Sequence, residues 1–177
     1  MRIIGGTHGG RVIRTPSNLP VRPTTDLAKE SLFNILNNRI DFEGLRILDL
    51  FSGTGNISYE FASRGALEVV AVENNFKCCH FIKTTAVSFG FSQVQVVKSD
   101  VFSFLSGEML PFDIIFSDAP FESGNLEDIP RLVFENGLLL KEGWLIIEHE
   151  PRKNFSGFQY FCERREYGRV NFSFFCL

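Results

Sequence analysis

No Cys-x-x-C pair occurs in the 177 residues, and the four cysteines (Cys78, Cys79, Cys162, Cys176) meet only three histidines. Only His80 lies near a cysteine at ligand spacing, so no metal site is expected and the thiols read as reduced and mostly buried. No apolar run approaches the roughly 20 residues needed to span a bilayer, and no basic, then apolar, then small-residue leader opens the chain. The expected compartment is therefore the cytoplasm, with no membrane partner. Internal repeats, low-complexity tracts and linkers are also missing, which leaves one domain with a short N-terminal attachment.

Positive charge is scarce overall, with a net of −3, but it is unevenly placed. Residues 1–30 carry five basic against two acidic side chains, and residues 150–177 five against three, while residues 31–149 hold eight against sixteen. Basic ends on an acidic body suit a polyanion-facing surface, and equally a pair of solvated faces. What the chain has in quantity is phenylalanine, 20 residues of it within a hydrophobic content of 44%, so an aromatic-rich core is expected.

The first twenty residues read as a small hairpin, with Ile3-Ile4 and Val12-Ile13 flanking Gly5-Gly6 and Gly9-Gly10. The segment RPTTDLAKESLFNILNNRI then predicts a helix with a Thr cap, Asp26 in its first turn, and Ala28, Leu32, Ile35, Leu36 and Ile40 on one face. From residue 45 strand-like runs (LRILDLF, LEVVAVE, VQVV, FDIIFSD, GWLIIEHE) alternate with helical ones. That alternation predicts a parallel sheet covered by helices on both faces. The tail from residue 158 reads as an antiparallel hairpin turning at Tyr167-Gly168.

In such a sheet ligands bind beyond the carboxyl ends of the strands, where strand order reverses. The first strand end carries Asp49, then Gly53 and Gly55 before a helix. The second ends at Glu73, placed to accept ribose hydroxyls; Asp100 follows the third, in reach of an adenine amine; the fourth ends at Asp118. Singly, each acid reads as well as a solvated strand end or a helix cap. A dinucleotide fingerprint would need a third glycine where this chain has Ser58. A carboxylate just before the loop also disfavours a pyrophosphate. S-adenosylmethionine, an adenosine with cationic sulfonium and ammonium groups, suits these acids better.

DLFSGTG resembles the first motif of the class I methyltransferases, and DAPF their Asp/Asn-Pro-Pro-Tyr/Phe motif for nitrogen acceptors. With RIIGG…GR and RPTTDLAKESLFNIL, the chain resembles the RsmD family, which methylates N2 of a guanine in 16S ribosomal RNA. The resemblance implies an α/β fold: one Rossmann-like class I methyltransferase domain over residues 24–177, with a mostly parallel seven-stranded sheet and a C-terminal antiparallel hairpin. Residues 1–23 are then a basic hairpin extension. Asp49, Phe51, Gly53, Gly55, Glu73, Asn74, Asp100 and Val101 are implied for the cofactor, and Asp118, Ala119, Pro120 and Phe121 for the target base. The basic end supplies Arg2, Arg11, Arg14, Arg22 and Thr24 as candidates for RNA. The implied partner is 16S RNA in the assembled or assembling small subunit.

This explains an acid at the end of a buried strand. Guanine N2 is a weak nucleophile because its lone pair is delocalised into the ring. Acceptors on its two N–H groups, the Asp118 carboxylate and the carbonyl of residue 119, would favour the pyramidal amine, while Pro120 fixes the turn. Phe121 offers a face for an extruded base. Carboxylates are weak bases, so Asp118 reads as an orienting acceptor. The family motif has Pro where this chain has Ala119; Ala keeps the carbonyl and gives up about 0.4–1 kcal/mol of backbone rigidity. Alternatives are a silent RNA-binding protein on the same fold, an amino-methyltransferase for adenine N6 or a protein glutamine, and a nicotinamide enzyme.

Overall fold

The computed structural model describes residues 1–17, 19, 26–120 and 126–177. Arg22, Thr24 and Phe121, and the Thr cap of the first helix, lie outside these residues.

Seven strands form one sheet: β1 (Arg46–Leu50), β2 (Glu68–Glu73), β3 (Val94–Lys98), β4 (Phe112–Ser117), β5 (Leu139–His149), β6 (Phe161–Tyr167) and β7 (Val170–Cys176). Their order is β3-β2-β1-β4-β5-β7-β6. The first five in that order are parallel, and β7 runs antiparallel to both β5 and β6. This is the expected sheet. Order reverses between β1 and β4, which locates the ligand crevice above their carboxyl ends.

The helices are α1 (Asp26–Asn37), α2 (Asn56–Ser63), α3 (Phe76–Phe89), α4 (Val101–Leu105) and α5 (Asp128–Glu135). The pleat sends alternate strand residues into two cores. Ile47, Ala71, Phe116, Ile146 and Phe174 pack with Leu32, Phe33, Phe61 and Ile82 on the side of α1 to α3. Leu48, Val72, Ile115, Ile147 and Phe175 pack with Leu105, Ile129 and Val133 under α4 and α5. Central strands thus present apolar residues to both cores, as their sequences suggested. The outer strand β6 carries Glu163, Arg164, Arg165 and Glu166, charge that discourages edge-to-edge association.

Several local expectations need correction. The N-terminal hairpin arm does close, antiparallel at Arg2 and Val12, but it turns through a 3-10 helix at Gly6–His8. Its Ile3 and Ile13 enter the first core. α1 buries Lys29 and Phe33 besides Ala28, Leu32 and Leu36, a face rotated from the expected one. β5 starts four residues before Gly143, passing Glu142 in a left-handed conformation where the register with β4 shifts. Only Cys78 and Cys79 are reduced and buried. Cys162 and Cys176 are joined across β6 and β7, with Cα atoms 6.2 Å apart.

The arm is held by buried charge. Glu60, on α2, accepts from the backbone N–H of Ile4 and of Gly5, both at 2.8 Å, and pairs with Arg64 at 2.7 Å and Lys29 at 3.4 Å. Lys29 donates to the Arg2 carbonyl at 2.5 Å and to Asn56 Oδ1 at 2.8 Å. Side chains of Lys29 and Glu60 are wholly buried. Burial lowers the Lys29 pKa and the Glu60 charge opposes that shift. Gly6 lies so close to α2 that a Cβ there would stand 1.9 Å from the Ser63 carbonyl, so only glycine fits.

Candidate functional site

The turn after β1 is built by its own backbone bonds and by Glu73. Gly55 N–H donates to the Ser52 carbonyl at 2.7 Å, and Ser52 N–H to Val72 at 3.0 Å. Glu73, at the end of β2, accepts from Gly53 N–H at 2.9 Å and from Asn75 N–H at 2.7 Å. Its carboxylate therefore fixes the glycine turn, and with about four lone-pair positions it still has capacity for two ligand hydroxyls. Phe51 sits in the left-handed region with φ of 57°, a conformation that costs a non-glycine residue about 1–3 kcal/mol. Gly55 adopts the left-handed conformation at φ of 77°, and a Cβ there would meet the Tyr59 ring at 2.8 Å.

Asp49 is 1% exposed, and its Oδ2 accepts a short hydrogen bond from Ser58 Oγ. Ser58, which breaks the dinucleotide pattern, thus secures this acid. Burial pushes the Asp49 carboxyl up to about 7; the Ser58 hydrogen bond opposes this, and the charges of Asp118 and Glu73 add to it. Asp100 is exposed and caps α4, its Oδ1 accepting from Ser103 N–H at 2.9 Å. Val101, next in line, is buried, and Asn74 is exposed. At the end of β4, Asp118 is half-buried, Ala119 buried and Pro120 exposed.

One more acid joins them. Glu148, in β5, is buried, and its Oε2 has no hydrogen-bond partner. Burial first, and then the Asp118 charge, push its carboxyl up to about 9. Strand alternation sets Asp49 with Ile47, Glu73 with Ala71 and Glu148 with Ile146, all on the side of α1 to α3. Asp118, one step past β4, acts on both Asp49 and Glu148. The carboxyl ends of β2, β1, β4 and β5, four neighbours in the sheet, therefore carry a row of four carboxyls.

Three inter-strand gaps of about 4.8 Å spread the row over roughly 14 Å. That is too wide for one ion, and among the described residues no cluster of three or more His, Cys, Asp or Glu could hold a metal. The row suits an extended cationic ligand, whose charge would offset the burial of Asp49. An adenosine carrying sulfonium and ammonium groups fits this donor set.

Beyond Asp118, Ala119 and Pro120 line a recess with Leu126, His149, Arg152 and Lys153. The two cations there are paired, Arg152 with Glu150 and Lys153 with Glu127 at 3.1 Å. His149 is held neutral by burial and bonded to Ser173 Oγ at 2.7 Å. On the arm, Arg2, Arg11 and Arg14 are all exposed, with Arg11 over the Phe89 ring at 5.7 Å.

Sequence reasoning missed Glu148, Arg152 and Lys153. The signal for Glu148 was present, since the fifth strand also ends in an acid, within IIEHE. The structure brings Asp49, Glu73 and Asp118 together, and Asp100 follows the neighbouring strand β3, where Ser99 N–H donates to the Glu73 carbonyl at 3.1 Å. No helix among the described residues is long and apolar enough to cross a membrane.

Comparison with known proteins is consistent with this architecture. A protein-family model described as "Conserved hypothetical protein 95" matches residues 1–176. The chain is 34% identical over 150 residues to the "Ribosomal RNA small subunit methyltransferase D" of Escherichia coli (strain K12), covering 85% of this chain and 75% of that one. It is 31% identical over 157 residues to the Haemophilus influenzae protein of the same name, covering 86% and 80%. Among solved structures, a hypothetical protein of Thermus thermophilus superposes with a TM-score of 0.87 at 26% identity, covering 100% of this chain and 99% of that chain.

Proposed function

Because the chain belongs to the Conserved hypothetical protein 95 family, the family of the ribosomal RNA small subunit methyltransferases D, we propose that it methylates the exocyclic N2 of a guanine in 16S ribosomal RNA. The donor is S-adenosylmethionine, and the acceptor is RNA in the assembled or assembling small subunit, in the cytoplasm. The observation that carries this reading is the row of carboxyls at the switch point, with Asp118-Ala119-Pro120 within it at the end of β4.

S-adenosylmethionine, when bound, supplies a methyl group on a sulfonium leaving group. Glu73 would accept the ribose hydroxyls, Asp100 and Val101 would hold the adenine, and the turn from Phe51 to Gly55, with Asp49, would hold the methionine end. Asn74 borders the ribose. Asp118 and the Ala119 carbonyl accept from the two N–H groups of the target amine, which localises its lone pair toward the methyl. Holding nucleophile and methyl in line supplies most of the acceleration. As the N–C bond forms and the C–S bond breaks, the nitrogen gives up one proton, through Asp118, to water. Phe121 stacks on the extruded base. Arg2, Arg11, Arg14, Arg22 and Thr24, with Arg152 and Lys153 beside the recess, hold phosphates.

The test is direct. Small subunits from a strain lacking the modification are incubated with the protein and the donor, and the RNA is digested for mass spectrometry. N2-methylguanosine is the expected product. Methyl on another base would overturn the acceptor assignment, and binding without transfer would make the chain a silent RNA-binding relative.

A further inference from the structure

Glu148 is a buried acid that the reaction above leaves unused. It is 8% exposed, and its Oε2 is buried with no hydrogen-bond partner. The register of β4 with β5 pairs Ser117 with Ile147, so the next rung sets Asp118 beside Glu148. On its other flank β7 presents Phe172, which is apolar. Among the described residues the one charged group acting appreciably on Glu148 is Asp118, and no lysine or arginine among them does so. A second carboxyl thus stands next to the acid assigned to the target amine.

Two bare carboxylates on adjacent rungs would repel, and Asp118 would turn away from the amine. One proton removes the conflict and creates a charge-assisted hydrogen bond. We propose that Glu148 is a positioning residue for methyl transfer: as a neutral carboxylic acid it donates to the Asp118 carboxylate and fixes the direction in which Asp118 accepts from the target amine. The inference rests on the reading of Asp118 given above. Burial and the Asp118 charge keep the proton on Glu148 at neutral pH, since its carboxyl titrates near 9. Glu148 exchanges no proton during the reaction; the proton lost by the nitrogen leaves by way of Asp118.

Single-turnover methylation of small subunits is measured from pH 6 to 10 for the wild-type chain, Glu148→Ala and Glu148→Gln, with donor affinity by calorimetry alongside. Glu148→Ala is expected to slow transfer about tenfold or more, the scale for removing a supporting hydrogen bond behind a reactive group, with donor affinity little changed. Glu148→Gln keeps an N–H donor and cannot ionise. It should recover most of the rate, and it should lack the alkaline fall that the wild type shows as Glu148 loses its proton. Ionisation of the guanine affects all three proteins alike. A carboxyl-carbon NMR titration of the intact protein, without RNA, gives the second arm: Glu148 should titrate in the alkaline range and move down in Asp118→Asn. An identical alkaline limb in wild type and Glu148→Gln would overturn the proposal, as would a Glu148 titration indifferent to Asp118→Asn. A wild-type chain that fails to methylate while the titration behaves as expected would count against the reaction and not against the carboxyl pair.

Discussion

Asp49→Asn isolates the cost of burying an acid under the cofactor turn. The Asp49 carboxyl is raised from 3.8 to about 7. The folded chain therefore holds this proton more tightly than the unfolded chain does, and between about pH 4 and 7 stability falls as pH rises. Each unit of separation is worth about 1.4 kcal/mol. The full penalty, present above pH 7, is then about 4 kcal/mol as an upper bound, since a real interior relaxes around a charge. An asparagine can still accept from Ser58 and never ionises. The variant should match the wild type near pH 4, gain on it up to pH 7 and hold a constant lead of about 2–4 kcal/mol beyond. Glu148 titrates in both proteins and cancels in the difference. Urea denaturation at half-unit steps from pH 4.5 to 8.5 measures this directly. A bound ammonium or sulfonium would offset the wild-type penalty, so wild-type donor affinity should strengthen with pH over the same range while the variant's stays flat. A stability difference that did not change with pH, or a variant weaker than wild type at pH 8, would refute the reasoning.

Glu73→Ala removes the acceptor for Gly53 and Asn75 as well as for the ribose, so donor affinity should fall by about 2 kcal/mol or more; calorimetry on the folded variant decides it. Asp118→Ala should slow single-turnover methylation about a hundredfold or more with donor affinity nearly unchanged. Ala119→Pro, which keeps the carbonyl, should hold or slightly raise the rate. An inert wild type rescued by Ala119→Pro would show that the native site is silent. Replacing Arg2, Arg11, Arg14 and Arg22 together should weaken RNA binding and flatten its salt dependence by about one unit of slope per lost contact, which filter binding at graded salt would show.

The sheet was readable because its signals are local. Runs such as RILDL and EVVAVE are apolar on both faces and bounded by glycine or acids, and β7 to β6 pairing follows from two runs around Gly168. Asp49, Glu73 and Asp118 were legible because strand ends in a parallel sheet converge. Glu148 carried the same strand-end signal but was masked, since IIEHEPRK passes from strand to charged turn without a break and a buried acid there looks like the first surface residue. Glu60 and Lys29 were hidden for a related reason. Each occupies an ordinary helical position for a solvated charge, and only the arm, more than fifty residues from Glu60 in sequence, makes that position interior. Gly55 has a second constraint the sequence did not show, the Tyr59 ring one helical turn ahead. The Cys162–Cys176 link depends on the strand register, which spacing alone does not fix.

The docking of the arm on α2 has a consequence for how the chain is made. Ile4 is translated 56 residues before the Glu60 carboxylate that receives its N–H. At the usual ribosomal pace of about 5–20 residues per second, that interval lasts roughly three to eleven seconds. Loop closure and chain collapse take about 100 microseconds or less, so during elongation Ile3 and Ile13 wait for a surface on α2 that does not yet exist. The arm is written early and seated late. Its glycines and arginines keep the waiting segment short of apolar side chains, and the charged latch at Glu60 closes only after Arg64 has been added.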